Sequence, residues 1–153
     1  MYVFDTNSLI KLNGFSKDVF VSLWDEIATL VEDGDLTSTR EVLREVADRD
    51  DEVHLWCKSN KDLFVTPDDS EVAIVGEIMS MSKFVAHMPK QTFLSSRPFA
   101  DPYVIARAEC LNWTVVSEEK EKKSSAKIPN ICQHFGVQCV NLDDFMKSQG
   151  WQF

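Results

Sequence analysis

Hydrophobic positions along the chain form short apolar runs that alternate with amphipathic stretches. The first run, Tyr2–Phe4, ends at an aspartate and is followed by a helical pattern over Thr6–Leu12. Apolar residues then recur at intervals of three and four over residues 20–31, which predicts an amphipathic helix that ends near Gly34. The chain therefore begins with a predicted strand followed by two helices.

The same alternation continues to the end of the chain. We predict further short strands at 36–38, 113–116 and 137–140, and helices at 40–48, 53–58, 71–84, 102–111, 129–135 and 142–147. Strands separated by helices favour a parallel sheet covered on both faces, so the expected fold class is α/β. No linker or repeat divides the 153 residues, and we expect a single domain over 1–153.

Composition is typical of a globular protein, with 44% hydrophobic and 27% charged residues. No apolar run approaches the roughly 18 residues of a membrane helix, and the first residues lack a basic region and a cleavage pattern. We therefore expect a cytoplasmic protein without membrane contact. The four cysteines form no CxxC pair, which favours reduced core thiols.

Charge is distributed unevenly. Residues 1–77 carry a net charge of −11, and residues 78–153 carry +2. Residues 78–100 contain no carboxylate and hold the basic residues Lys83, Lys90 and Arg97 together with His87. Such a segment is suited to following a phosphate backbone. An equally supported interpretation is that this segment is a solvated basic loop or a contact for an acidic partner.

Acidic residues follow the predicted strands, where ligands of parallel sheets gather. Asp5 follows the first strand, Glu118 and Glu119 follow the strand at 113–116, and Asp101 opens a helix. On the helix at 40–48, Glu45 borders the apolar stripe, whereas Glu41 is expected to face water. These acids form a candidate cluster at one edge of the sheet.

Each acid also has a structural interpretation. Asp101 before Pro102 has the features of an N-cap, and Asp5 could cap the helix that starts at Thr6. Glu45 could be a boundary residue, and the glutamates after the strand at 113–116 could be a solvated charge run. A zinc site is an alternative function for Cys132, His134 and Cys139, although their spacing matches no common zinc module.

Four segments, in order and over nearly the whole chain, together resemble the PIN-domain nucleases. They are residues 2–7 (YVFDTN), the helix that carries Glu45, residues 100–106 (ADPYVIA) and residues 115–119 (VVSEE). The resemblance is closest to the PIN-like family known as domain of unknown function 4411, which residues 127–132 (KIPNIC) also match.

Membership of this family implies a three-layer α/β/α fold around a parallel sheet. It also implies a Mg²⁺- or Mn²⁺-dependent phosphodiesterase, commonly an endoribonuclease that is the toxin of a toxin–antitoxin pair. By position, the four metal-binding and catalytic acids would be Asp5, Glu45, Asp101 and Glu119. Supporting residues would be Thr6, Asn7 and Ser117. The fourth position departs from the family pattern, in which aspartate is usual, so Glu118 is an alternative to Glu119 as the fourth acid.

Carboxylate oxygens are the ligands that Mg²⁺ and Mn²⁺ prefer, and a metal-activated water needs no protein nucleophile. Lys83, Lys90 and Arg97 are the candidate substrate-binding residues. The candidate partners are an RNA substrate, with DNA as the alternative, a cognate antitoxin protein and a second copy of the chain.

Other functional classes fit the sequence less well. There is no GxGxxG or GxxxxGK[ST] motif for a nucleotide, and a haloacid-dehalogenase-like phosphatase would have a second acid where this chain has Asn7. The main rival is a non-catalytic PIN-like module that binds RNA or a protein. The tryptophans Trp24, Trp56, Trp113 and Trp151 could stack on bases, although their spacing favours the core.

Overall fold

A computed structural model describes residues 1–94 and 99–153. Within this part of the chain, five parallel strands form one sheet in the order β3-β2-β1-β4-β5. The strands are β1 (Tyr2–Phe4), β2 (Leu36–Thr39), β3 (Phe64–Val65), β4 (Thr114–Val116) and β5 (Cys139–Val140). The central strand β1 pairs Val3 with Thr37 of β2 and with Val115 of β4.

Ten α-helices connect and flank these strands in the described residues. They are α1 (Thr6–Leu12), α2 (Val21–Glu32), α3 (Arg40–Val46), α4 (Glu52–Ser59), α5 (Asp69–Ser80), α6 (Ser82–Val85), α7 (Gln91–Leu94), α8 (Asp101–Leu111), α9 (Ile128–Phe135) and α10 (Leu142–Ser148).

The helices form two layers around the sheet, so the expected α/β/α fold is confirmed. Helix α8 packs across β1, β2 and β4, and α5 and α9 pack against α8. Helix α1 contacts α3 and α10. The core between these layers is apolar and includes Val3 and Phe4 of β1, both fully buried. The four tryptophans belong to this core or pack against it, as their spacing predicted.

One predicted helix differs clearly from the structure. The helix predicted at 71–84 is divided into α5 and α6, because the backbone of Met81 is extended (φ −81°, ψ 106°). Helix α5 also begins earlier, since the Asp68 carboxylate accepts a hydrogen bond from the Glu71 N–H while the Glu71 carboxylate accepts one from the Asp68 N–H. The elements without a predicted counterpart are a 3-10 turn at Lys61–Leu63, β3 and α7.

Parallel pairing brings the carboxyl ends of β1, β2 and β4 to one edge of the sheet. The Asp5 N–H donates to the Val116 carbonyl (3.1 Å), and the Ser117 N–H donates to the Val140 carbonyl (2.9 Å). Residues that follow different strands are thereby placed side by side. In the residues that the structure describes, no helix is long and apolar enough to cross a membrane.

Candidate active site

Asp5 lies at the end of β1 and is 1% exposed. One of its carboxylate oxygens accepts a hydrogen bond from the Ser8 N–H (2.7 Å), which caps α1 as predicted. The other oxygen accepts a hydrogen bond from the Ser117 hydroxyl (2.6 Å). Burial raises the pKa of Asp5 to about 6, although the hydrogen bonds from Ser117 and Ser8 oppose this rise.

Asp101 is the first residue of α8, and the predicted capping role is wrong. The N-cap is Ala100, and no side chain caps this helix. The Asp101 carboxylate accepts no hydrogen bond from any residue in the described ranges. Desolvation raises the pKa of Asp101 to about 8, and the negative charges of Glu119, Glu45 and Asp5 add to the rise. Within the described part of the chain, Asp101 is therefore a half-buried carboxyl group that has three acidic neighbours, no hydrogen-bond donor, and the charge of Lys127 to oppose part of the rise.

Glu45 joins this group from α3. One carboxylate oxygen accepts a hydrogen bond from the backbone N–H of Ala100 (2.8 Å), and the other accepts one from the Thr6 hydroxyl. The Glu45 carboxylate is thus hydrogen-bonded to Ala100, which precedes Asp101, and to Thr6, which follows Asp5. Both residues are neighbours in sequence of the predicted site acids.

Glu41 does not face water, contrary to the prediction. Its side chain is buried between Arg40 and Arg44, with nitrogen-to-oxygen distances of 3.0 and 3.1 Å. The two guanidinium groups satisfy the charge that burial would otherwise leave unpaired. Glu41 therefore has a structural role at the base of α3.

Glu119 approaches from the segment after β4. Its carboxylate accepts hydrogen bonds from the Lys127 ammonium and from the Ile128 N–H at the start of α9, both at 2.8 Å. Its backbone N–H donates to the Ser117 hydroxyl (3.2 Å), which in turn donates to Asp5. Glu119 is close enough to raise the pKa of both Asp5 and Asp101.

Glu118 has a different set of contacts. Its carboxylate accepts hydrogen bonds from Lys11 (3.0 Å) and from the Leu142 N–H at the start of α10 (2.8 Å). Neither glutamate is part of a solvated charge run, since each pairs with a lysine and a helix N-terminus. Of the two, Glu119 is the one that interacts with the aspartates.

A cleft of about 300 Å³ opens beside these acids. Asn7, Glu45, Asp101 and Glu119 line it, so it contains three of the four predicted acids and one supporting residue. The remaining lining residues are His87, Pro89, Phe99, Ser125, Ala126 and Lys127. None of these residues was predicted to line an acidic cleft, although His87 belongs to the basic segment at 78–100 and Lys127 to the family match at 127–132. No local pattern connects the segments at 87–89, 99 and 125–127 to the cleft.

The structure describes two of the three predicted substrate-binding residues. Lys83 is exposed on α6, and its ammonium lies 2.8 Å from the His134 ring. Lys90 is exposed in the turn before α7. Arg97 lies outside the described residues. The segment at 78–100 is therefore not simply a loop, since α6, α7 and the end of α5 occupy its described part.

The donor set suits a hard divalent cation, because every predicted ligand is a carboxylate. The desolvated carboxyl group of Asp101 has no hydrogen-bond donor in residues 1–94 and 99–153, and three neighbouring acids raise its pKa. A cation would relieve this repulsion. Among the described residues, however, no three cysteine, histidine or acidic side chains are arranged at metal-binding distance. The same finding removes support for the zinc alternative, in which His134 instead contacts Lys83.

The predicted location of the cysteines is correct for two of the four. Cys57 and Cys132 are buried, whereas Cys139 is half-buried and Cys110 is exposed on α8. All four are free thiols.

The chain matches the family described as Domain of unknown function (DUF4411) over residues 2–153, and it belongs to this family. A comparison with curated proteins gives no match. A similar solved chain comes from the crystal structure of VapBC2 from Rickettsia felis bound to a DNA fragment from their promoter. The TM-score is 0.50 and the identity is 12%, over 92% of this chain and 97% of that chain. This likeness concerns the fold, which is PIN-like.

Proposed function

We propose that the protein is a metal-dependent endoribonuclease whose active site is the acidic cleft. The observation that carries the proposal is the position of Asp101, a desolvated carboxyl group that has no hydrogen-bond donor among the described residues and faces Asp5, Glu45 and Glu119. Acids that only stabilise a fold are paired with donors, as Glu41 and Glu71 are in this protein. A cluster of mutually repelling carboxyl groups favours binding of Mg²⁺ or Mn²⁺.

In this proposal Asp5 and Asp101 would be direct ligands, and Glu45 and Glu119 would hold the cation either directly or through water. When bound, the metal supplies a water of lowered pKa and stabilises charge on the phosphate during hydrolysis. Ser117 orients Asp5 through its 2.6 Å hydrogen bond and favours the ionised carboxylate. Thr6 orients Glu45, and Asn7 is placed to donate to a phosphate oxygen in the cleft.

The acids also determine when the cleft accepts a cation. The pKa of Asp101 is about 8, so at neutral pH this carboxyl group retains its proton for much of the time. Metal binding requires its release, because carboxylate ligands are ionised. Affinity for the cation should therefore rise with pH up to about 8.

The substrate class rests on the family resemblance and on the charge pattern. Lys83 and Lys90 supply positive charge on an otherwise acidic protein, and Arg97 extends this basic set in the sequence. We propose single-stranded RNA as the substrate, with DNA as the alternative, and a cytoplasmic location for the protein. A toxin–antitoxin role, with a cognate antitoxin and a second copy of the chain as partners, rests on the resemblance alone.

Two observations favour the rival proposal of a non-catalytic module that binds RNA or a protein. Both carboxylate oxygens of Glu119 already accept hydrogen bonds from Lys127 and Ile128. The oxygens of Glu45 are likewise paired, with Ala100 and Thr6, and those of the buried Asp5 are paired with Ser8 and Ser117. In this rival proposal the acids hold α3, α8 and α9 together, and no cation is needed.

A cleavage assay distinguishes the two proposals. Labelled single-stranded RNA is incubated with wild-type protein in Mn²⁺ or Mg²⁺, in EDTA, and with the variants Asp101→Asn and Asp25→Asn. Asp25 is exposed on α2, so it is a control with the same change of charge. We expect cleavage by the wild type and by Asp25→Asn, and loss of at least a hundredfold in Asp101→Asn and in EDTA. Equal cleavage by Asp101→Asn and wild type would contradict the proposal.

A further inference from the structure

We propose that a second pocket next to the cleft binds a neighbouring phosphate of the same RNA strand. This pocket, here called the basic pocket, has a volume of about 440 Å³. Its lining residues are Lys83, Phe84, His87, Ser124, Ser125, Asn130, Gln133 and His134. The inference rests on the proposed function, since it adds a binding subsite to the proposed active site.

The basic pocket differs sharply in charge from the cleft. No acidic residue lines it in the described part of the chain, whereas Glu45, Asp101 and Glu119 line the cleft. This contrast occurs in a protein with a net charge of −9. A phosphate diester can therefore enter the basic pocket without a cation. In the cleft, by contrast, the phosphate requires a cation because acidic residues line that site.

Lys83 is the donor that this pair offers to a phosphate. The Lys83 Nζ lies 2.8 Å from the His134 Nδ1, and an ammonium group can only donate. The Nδ1 therefore accepts, so His134 orients the ammonium group. Lys83 keeps two further N–H groups. A phosphate can thus receive charge-assisted hydrogen bonds from Lys83 while His134 holds the ammonium group in place.

Aromatic packing holds this pair in place. The His134 ring makes edge contacts with Phe84 (5.7 Å between centroids) and Phe135 (5.0 Å). The Lys83 ammonium lies 4.9 Å from the centroid of the Phe84 ring. Because Phe84 is buried, these contacts fix the orientation of two exposed polar side chains that would otherwise rotate freely.

The basic pocket adjoins the cleft. His87 and Ser125 line both. Asn130 fixes this wall, because its side chain accepts hydrogen bonds from the Ser125 hydroxyl (2.8 Å) and the Lys122 N–H (3.2 Å) and donates to the Lys122 carbonyl (2.7 Å). A strand with one phosphate in the cleft can therefore pass His87 and place its next phosphate beside Lys83.

The test measures binding rather than cleavage. Fluorescein-labelled octauridylate and the dinucleotide UpU are titrated against variants that retain Asp101, in Ca²⁺ at pH 8, so that carboxylates of the cleft can bind a cation. RNA integrity is checked on gels. The variants are Lys83→Gln, Lys83→Arg, His134→Phe and Lys58→Gln. Lys58 is exposed on α4 and lines neither the cleft nor the basic pocket, so it is the control for loss of a positive charge.

We expect Lys83→Gln to weaken octauridylate binding about five- to tenfold and to reduce the slope of log affinity against log salt by about 0.7. His134→Phe keeps the aromatic packing and removes the acceptor that orients the Lys83 ammonium group, so it should weaken binding without changing the slope. Lys83→Arg should restore both values, and Lys58→Gln should change neither. Binding of UpU, which has one phosphate for the cleft, should be the same in all variants.

Separate results overturn the inference and the proposed function. If RNA is cleaved but Lys83→Gln and His134→Phe bind octauridylate like the parent protein, the basic pocket is not a subsite and the proposed function stands. Equal weakening for UpU and octauridylate would place the Lys83 contact in the cleft and would also overturn the inference. If RNA is not cleaved but Lys83→Gln weakens only the octamer, the subsite stands and the nuclease proposal fails.

Discussion

The carboxylate of Glu45 on α3 accepts a 2.8 Å hydrogen bond from the backbone N–H of Ala100, the residue immediately before Asp101. This contact joins residues that are 55 positions apart in the sequence. It fixes the start of α8, and therefore the position of the Asp101 carboxyl group, relative to α3. Glu45 thus has both a structural contact and an electrostatic effect on Asp101.

Two substitutions separate these effects. Glu45→Gln keeps an oxygen that can accept from Ala100, so we expect a change in stability below about 1 kcal/mol. It removes the negative charge, so the pKa of Asp101 should fall. Glu45→Ala leaves the Ala100 N–H unpaired at a cost of about 1–3 kcal/mol. That cost corresponds to a decrease in Tm of about 2–12 °C for a domain of this size. Calorimetry and carbon-13 NMR of the carboxyl groups measure these quantities, and equal destabilisation by both substitutions would contradict the role of the hydrogen bond.

The raised pKa values predict how stability depends on pH. Asp101 has a pKa of about 8 and Asp5 one of about 6 in the folded protein, mainly because both are desolvated. An unfolded chain releases these protons near pH 3.9. The folded state therefore binds more protons, so the contribution of both groups is fully present below about pH 4 and is lost as pH rises through about 6 and about 8.

We expect Asp101→Asn to remove much of this loss of stability at high pH. One pKa unit corresponds to about 1.4 kcal/mol, so between pH 5 and pH 8 the wild type should lose at least 1 kcal/mol more than the variant. This difference is about 2–4 °C in Tm, measured without metal. Asp25→Asn should follow the wild-type curve. Parallel curves for wild type and Asp101→Asn would show that Asp101 is not strongly perturbed.

Much of the fold could be predicted because its signals are local. The apolar run of β1 and the spacing of apolar residues in α2 and α8 each occupy one short segment. Strand β3 was missed because two residues, Phe64 and Val65, have no periodicity. Helix α7 was missed because it consists of only four residues.

The candidate site was predictable only where its residues follow a strand. Asp5 and Ser117 meet because β1 and β4 are neighbours. The position of Glu41 on the helix predicted a side chain exposed to water. In the structure, ion pairs with two arginines allow this side chain to be buried. The contact between Lys83 and His134 spans 51 positions, and no local pattern indicates it.

The ion pair between Glu71 and Arg107 provides a test of the packing of α5 on α8. The Glu71 carboxylate lies 2.9 Å from the Arg107 guanidinium and is 3% exposed. Glu71→Gln preserves the capping contact with Asp68 but leaves the Arg107 charge buried and unpaired. We expect a loss of about 3 kcal/mol, or about 6–12 °C in Tm.

Glu77→Gln is the control for this substitution, because Glu77 is exposed on the same helix. It should leave Tm unchanged. The double variant Glu71→Gln and Arg107→Met should recover most of the loss, since both members of the ion pair are then removed. A double variant less stable than Glu71→Gln alone would show that the Arg107 contact with Thr37 is the more important one.

Divalent metal should stabilise the folded protein if the acids of the cleft bind it. At a hundredfold excess over Kd, a ligand that binds only the folded state adds about 2.7 kcal/mol. For a domain of this size, the increase in Tm is about 5–11 °C. We expect this increase with Mn²⁺ at pH 8, and a smaller one at pH 6, because Asp101 must lose its proton before it binds the cation.

Asp5→Asn and Asp101→Asn should each remove most of the Mn²⁺ effect, and Asp25→Asn should retain it. Asn also caps helices, so Asp5→Asn keeps the contact with Ser8 and should be at least as stable as the wild type without metal. If Asp5 has only a capping role, Mn²⁺ should change Tm by the same amount in Asp5→Asn as in the wild type. An increase in Tm that is as large in Asp5→Asn and Asp101→Asn as in the wild type would place the metal outside the cleft.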